Sequence, residues 1–248
     1  MRIATRPVGP AWWRPMMQLT GVVILALGFL LGSQVHNGHP TPGFDLTVLR
    51  WLEHVRTGWM VTLGRWIEFL DGPTASPWLL LLAGILVVVR GHRMLGVCIV
   101  FLVALAWLPG HIAKSLFPRD RPPASVSPEW VVKGANSFPS GHTGFITSVF
   151  IAGLFALGAL GHRRGWWAAL VGVLVLVVGG SRMVVGVHYP TDVVGGALLA
   201  LGAALVLWPI FAGLLYTVPP RVPWLRDTRA LGVPDTRAVA RTDSPGAG

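Results

Sequence analysis

Apolar residues along the 248-residue chain gather into runs of helical length, separated by short connections that hold most of the charge. About 20 consecutive apolar residues carry an α-helix across a bilayer. Six runs reach or approach that length: 17–35, 74–89, 94–117, 140–160, 166–187 and 190–216. The pattern predicts an all-α polytopic membrane protein with six transmembrane helices. The run at 74–89 is short for a span, so Arg90 at its end is expected to snorkel toward lipid headgroups. Pro109 predicts a kink in the third helix. Residues 41–72 differ: Leu46, Leu49, Leu52 and Val55 recur at helical spacing among Asp45, Arg50, Glu53 and Arg56. That is the pattern of helices lying on the membrane surface, between the first and second spans.

The chain then divides into a basic N-terminus (1–16), one membrane domain (17–216) and a tail (217–248). The tail is rich in Pro, Arg, Asp and Thr without apolar periodicity, as disordered segments are. The basic, Trp-containing start has the look of a signal peptide. The first run, however, is followed by His36-Asn37-Gly38-His39-Pro40 rather than by a small-residue cleavage site, which fits a retained helix.

Composition agrees, with 53% hydrophobic and 12% charged residues against roughly 25% charged in soluble domains. A formal charge of +10 raises nucleic acid as a partner. The basic residues are instead scattered at the ends of apolar runs, which excludes that partner and indicates the bilayer. With six spans both termini share a side, and that side holds twelve Lys and Arg residues against eight on the other. Basic residues are retained in the cytoplasm, so cytoplasmic termini are expected, in the plasma membrane, with 36–73, 118–139 and the His188 region facing outward. The single Cys98 excludes an intramolecular disulfide and a cysteine metal site. His36, His39 and His54 are too loosely spaced for a metal. Trp166 and Trp167 read as interface anchors, and His111, one turn before Lys114, as a bystander.

Ionisable groups at membrane depth are candidates for function. Lys114 ends the third run and Arg121 follows it, just before Pro122. Alone, the two read equally well as interfacial cations. Pro139-Ser140-Gly141-His142 opens the fourth helix at the same face. Pro and Ser suit a helix start, Gly141 allows close backbone approach, and the free N–H groups there favour a phosphate. His142 in the first turn is placed to exchange a proton. Alone, this stretch is also a capped helix with an interfacial histidine. The third stretch places Arg182, His188 and Asp192 where the fifth helix ends and the sixth begins. Pro190 starts that helix, so Asp192 falls in its first turn. From there its carboxylate can accept a histidine N–H, fix the tautomer and leave the other nitrogen as a nucleophile.

Together the three stretches resemble the type 2 phosphatidic acid phosphatase superfamily, which shares its site with vanadium haloperoxidases and bacterial acid phosphatases. Its signature, K-x6-R-P, P-S-G-H and S-R-x5-H-x3-D, is matched by Lys114 to Arg121-Pro122, Pro139 to His142, and Ser181-Arg182 to His188 to Asp192. The resemblance implies a metal-independent phosphatase without cofactor. His188 would attack phosphorus and form a phosphohistidine while Asp192 holds its imidazole. His142 would protonate the leaving oxygen and then activate water. Lys114, Arg121, Arg182, Ser140 and Gly141 would hold the phosphate oxygens. Because all three stretches fall at helix ends on one face, the substrate is expected to be a phosphorylated lipid. Undecaprenyl (polyprenyl) diphosphate, cleaved to the monophosphate, leads the expectation; phosphatidylglycerophosphate or phosphatidate is the alternative. A membrane transporter or a non-catalytic binder of lipid phosphates stands as the reading from another class. Transporters place charges near the midplane, often in repeated halves; these lie at helix ends, with no repeat.

Overall fold

The computed structural model describes residues 12–37, 41–72, 75–127, 136–162, 165–218 and 222. Most of the tail, residues 1–11 and the Arg163-Arg164 turn lie outside the described residues. Eight helices follow one another among the described residues: α1 (Trp13–His36), α2 (Thr41–Val55), α3 (Gly58–Asp71), α4 (Ser76–Val89), α5 (Arg93–Leu116), α6 (Gly141–Ala159), α7 (Gly165–Val184) and α8 (Pro190–Thr217). Five of them, α1, α5, α6, α7 and α8, are long and apolar enough to cross a membrane. The sixth expected span, α4, has 14 residues, or about 21 Å of helix. It is therefore shorter than the roughly 30 Å hydrocarbon layer, as its run length foretold. The chain is an all-helical multi-pass membrane protein with α2 and α3 inserted between the first and second of these helices.

α8 is the central element, packing against α1, α5 and α6, while α4 leans on α5 and α7 on α6. Helices in lipid associate through close backbone approach more than through the hydrophobic effect. Accordingly α1 and α8 meet at glycines: a Cβ on Gly21 would stand 2.7 Å from the Gly202 carbonyl oxygen. Between α5, α6 and α8 lies the main apolar core, with Leu95, Cys98, Leu102, Val103 and Phe155 buried. The outer faces keep Leu27, Leu30, Leu82, Leu86 and Leu176 exposed, as a surface facing lipid chains requires. Cys98 is a buried core residue. Pro109 sits inside α5, which continues through it to Leu116.

α2 and α3 are amphipathic and break at Arg56-Thr57. α3 packs on α7, and α2 touches α7 and α8. Trp59, Leu63, Trp66 and Phe69 of α3 remain exposed, in keeping with a helix at a lipid interface. The anchoring expected of both tryptophans divides. Trp166 is exposed, whereas Trp167 packs on α6, its indole N–H donating to the Phe150 carbonyl at 3.3 Å.

Candidate active site

The C-terminal ends of α1, α5 and α7 and the N-terminal ends of α6 and α8 share one end of the bundle. The segment 117–127 crosses there and is held at several points. His36 bonds the Pro118 carbonyl at 2.9 Å, Arg56 donates to the Val126 carbonyl at 3.2 Å, and Ser137 N–H donates to the Arg119 carbonyl at 2.7 Å. The three stretches singled out above are joined in pairs by backbone groups. Lys114 Nζ donates to the Asn136 carbonyl at 2.7 Å, Ser140 N–H donates to the Asp192 carbonyl at 2.9 Å, and Arg121 Nη1 donates to the Val187 carbonyl at 2.8 Å. The three stretches therefore converge on one place.

At its centre lies Asp192, fully buried in the first turn of α8. Its Oδ2 reaches back to accept the Tyr189 N–H at 2.9 Å, as the acidic partner of a capping box does. The same oxygen accepts the Ser137 hydroxyl and faces His188 Nδ1 at 3.4 Å. A carboxylate only accepts, so Nδ1 carries the proton and Nε2 holds the free lone pair. The turn that delivers His188 bends at Gly186, whose φ of +78° suits glycine. A Cβ there would stand 2.6 Å from Ser127 Cα.

Electrostatics favour a neutral imidazole at rest. Burial is the largest influence on His188 and lowers its pKa below the ordinary 6.5; Asp192 acts the other way, and the nearby Arg121 and Lys114 cations lower it further. Burial also acts to lower the pKa of Arg119, but Asp192 and Asp45 prevail and raise it. For Arg121 burial prevails and the shift is downward; an arginine still stays charged at any working pH.

The phosphate-side residues sit as follows. Ser140 is the N-cap of α6 and accepts the Thr143 N–H at 3.4 Å. Gly141 and His142 occupy the first turn of α6, half-buried. A small cavity opens beside them, lined by Trp107, His111, Lys114, Ser140, Gly141 and Gly196 among others. His111, read as a bystander, lines the cavity with Lys114, its ring 4.5 Å from that of Trp107. Arg182, fully buried, turns part of its guanidinium toward α3. Its Nη2 donates to the Gly64 carbonyl of α3, and its Nη1 stands 3.3 Å from Glu68 Oε2.

Residues 95–215 match the model of the PAP2 superfamily. That match covers just under half of the 248-residue chain. A protein of Escherichia coli (strain K12), YbjG, provisionally named an undecaprenyl-diphosphatase, is 33% identical over 139 residues. That alignment covers 50% of this chain and 65% of the relative, a little under two thirds of its length. The undecaprenyl-diphosphatase of Sulfolobus acidocaldarius is 25% identical over 183 residues, 71% of this chain and 84% of that protein. Among solved structures, the transmembrane PAP2-type phosphatidylglycerolphosphate phosphatase of Bacillus subtilis superposes with a TM-score of 0.65 at 23% identity. It covers 80% of this chain and 97% of that one. This last likeness establishes a shared fold.

Four polar residues around this site escape a reading of the three-part signature. Arg119 donates Nη1 to Asp192 Oδ1 and Nη2 to Asp45 Oδ2, both at 2.6 Å, and lies over the Tyr189 ring at 4.0 Å. Thr191 and Ser137 complete the shell around the two aspartates. The available signal was an arginine two places before Arg121 in a proline-rich stretch. Two arginines so close, outside a helix, can serve two different partners.

Proposed function

We propose that this PAP2 protein is a lipid phosphatase that cleaves the terminal phosphate from undecaprenyl or another polyprenyl diphosphate. The observation that carries the reading is the buried Asp192–His188 pair, with Nδ1 protonated toward the carboxylate and two cations, Lys114 and Arg121, close enough to act on the imidazole. A phosphoryl group brought to Nε2 would meet those cations and the free N–H groups at the start of α6. The names of the E. coli and S. acidocaldarius relatives favour a diphosphate lipid as substrate.

In this mechanism His188 Nε2 attacks the terminal phosphorus while the bond from phosphorus to the bridging oxygen breaks. His142 gives that oxygen its proton, and the polyprenyl monophosphate leaves. Asp192 stabilises the imidazole as it gains positive charge. Water, its proton taken by His142, then attacks phosphorus, breaks the phosphorus–nitrogen bond and releases inorganic phosphate with a neutral His188. Lys114, Arg121 and the Ser140-Gly141 backbone hold the equatorial oxygens where charge accumulates. Arg182 joins them by leaving Glu68 for the phosphate. The basic residues at the opposite end of the bundle orient the chain with cytoplasmic termini and the site outward in the plasma membrane, where a wall-carrier lipid would be regenerated.

The test is phosphate release by the purified protein, in EDTA, across a panel of polyprenyl diphosphates, phosphatidylglycerophosphate and phosphatidate. Release from the polyprenyl diphosphates, with a labelled phosphoryl group trapped on the parent and absent from His188→Ala, is expected. A His188→Ala variant as fast as the parent would remove the mechanism. Preference for phosphatidylglycerophosphate would replace the substrate and leave the chemistry intact.

A further inference from the structure

Asp45, on the first turns of α2, is fully buried and takes no part in the reaction just outlined. Both of its oxygens are engaged. Oδ1 accepts the Thr191 N–H at 3.1 Å, and Oδ2 accepts the Thr191 hydroxyl and Arg119 Nη2, each at 2.6 Å. The Thr191 hydroxyl in turn accepts from Arg119 Nη1 at 2.7 Å. The other face of α2 leaves Phe44 and Trp51 exposed, as an interfacial helix would. A helix that had only to lie on a bilayer has no use for a buried carboxylate, because removing that charge from water is tolerated only with close partners. The partners here lead straight to the reacting histidine. Asp45 holds Arg119, Arg119 holds Asp192 Oδ1 at 2.6 Å, and Asp192 Oδ2 faces His188 Nδ1 at 3.4 Å.

We propose that Asp45 is a positioning residue for the reaction, acting through Arg119 to fix the Asp192 carboxylate and thereby the orientation of His188. The guanidinium spans two carboxylates, one nitrogen to each. While Asp45 occupies Nη2, Arg119 can offer Asp192 only Nη1, so Oδ2 remains for the histidine. Without the Asp45 charge, Nη2 is free to swing onto Asp192. The fork geometry of arginine then favours two-point capture of that carboxylate, drawing Oδ2 away from Nδ1. His188 keeps its place in the chain and loses the acceptor that sets its ring. Substrate binding groups are untouched, so the loss belongs in turnover and not in affinity. α2 is in this way part of the catalytic apparatus, although it lies outside the stretch that carries the family signature.

This inference rests on the phosphatase reading above. The experiment compares kcat and KM of the full-length parent, Asp45→Asn, Arg119→Gln and the double variant on a polyprenyl diphosphate in detergent micelles, with His188→Ala as the inactive control. Asp45→Asn should lower kcat by about 10- to 100-fold, the range a displacement of an ångström produces, with KM changed by less than about threefold. Because Asp45 acts through Arg119, the double variant should match Arg119→Gln alone within about twofold, the non-additivity of coupled neighbours. A kcat within about twofold of the parent, a loss carried by KM, or losses that multiply in the double variant would each overturn the inference. Should Asp45→Asn fail to fold, Thr191→Val decides: it removes the hydroxyl shared by Asp45 and Arg119 and leaves every charge. A kcat fall at unchanged KM supports the proposal, and an unchanged kcat ends it. A parent that released no phosphate from any lipid would remove the phosphatase reading and this inference together; an active parent with unimpaired Asp45→Asn removes the inference alone.

Discussion

Replacing Asp192 by asparagine changes one oxygen to NH2 and little else in shape, which makes the outcome calculable from the contacts. If the NH2 takes the Oδ2 position, it can donate to the Ser137 hydroxyl but also faces the Tyr189 N–H and His188 Nδ1, neither of which can accept in the present tautomer. If it takes the Oδ1 position, it faces the Arg119 guanidinium, now 2.6 Å from a carboxylate oxygen. In both arrangements a fully buried group meets donors where it needs acceptors. An orphaned buried donor costs about 1–3 kcal/mol, and losing one partner of a buried ion pair about 3–5 kcal/mol. Asp45 keeps part of the Arg119 pairing, so the sum is placed at about 3–5 kcal/mol of stability. Catalysis falls further, because an amide facing Nδ1 from its oxygen side no longer carries charge, and from its nitrogen side reverses the tautomer. In a related histidine–aspartate arrangement that exchange costs on the order of 10⁴ in kcat. Denaturant unfolding of the purified protein, beside phosphate release, measures both quantities. His188→Gln is the necessary comparison: it should abolish turnover while losing much less stability. Asp192→Asn with unfolding within about 1 kcal/mol of the parent, or with kcat within about tenfold, would show that Asp192 neither holds the cluster nor sets the histidine.

Gly186→Ala forces a Cβ into a φ of +78° and to within 2.6 Å of Ser127 Cα; stability should fall by at least about 1–2 kcal/mol, read by denaturant unfolding, with kcat falling as the His188 turn moves. Glu68→Gln removes the anion that now pairs with Arg182 at 3.3 Å. Because Arg182 is fully buried and only Glu68 is partly exposed, losing the pair leaves more than the roughly 1 kcal/mol of a surface bridge to be recovered by a phosphate, so KM for the lipid should drop by at least about fivefold, and a rise in KM would mean that Glu68 aims the arginine. For pH, the folded His188 pKa lies below the unfolded 6.5, so the unfolded state binds more protons in between. The His188 contribution is complete above about pH 6.5 and is lost as pH falls toward its folded pKa. The melting temperature of the parent relative to His188→Gln should therefore decline from pH 7 to pH 5, and a rise would contradict the burial argument.

Among the described residues, the apolar runs located the five helices long enough to cross a membrane, and the shorter α4, to within a few residues, because burial in lipid demands an uninterrupted apolar stretch and punishes anything else. The run at 94–117 became α5 (Arg93–Leu116) and that at 190–216 became α8 (Pro190–Thr217). His188 and Asp192 were legible for a different reason: their four-residue spacing across a helix start is local, so sequence alone sets their geometry. Asp45 was not legible. It sits in an amphipathic helix among Arg50, Glu53 and Arg56, where a carboxylate looks like part of a solvated face, and its arginine partner is 74 positions away. Arg182 shows the opposite failure. Its motif position was plain, yet it also reaches Gly64 and Glu68 of a helix that the signature does not include. His111 was discounted because one turn along a helix does not say which neighbour closes the space; Trp107 and Gly141 do.

The two inserted helices supply an anion to each of two site cations, and the two pairs differ in a way that separates their roles. Asp45 meets Arg119 at 2.6 Å with none of its side chain exposed, whereas Glu68 meets Arg182 at 3.3 Å with a quarter of its side chain exposed. A pair sealed from water is not broken during turnover, since its charges would have to be separated inside protein. A longer pair with water at one partner is easily exchanged, because the released carboxylate is promptly hydrated. Arg119 is on these grounds a fixed part of the scaffold that holds Asp192. In the phosphatase proposed above, Arg182 would be the cation kept satisfied until a phosphate displaces Glu68. If the site accepts a lipid phosphate from the bilayer and later releases inorganic phosphate, as proposed, it needs one arginine of each kind: the first keeps the nucleophile aimed through the whole cycle, and the second takes up and gives back the charge that comes and goes.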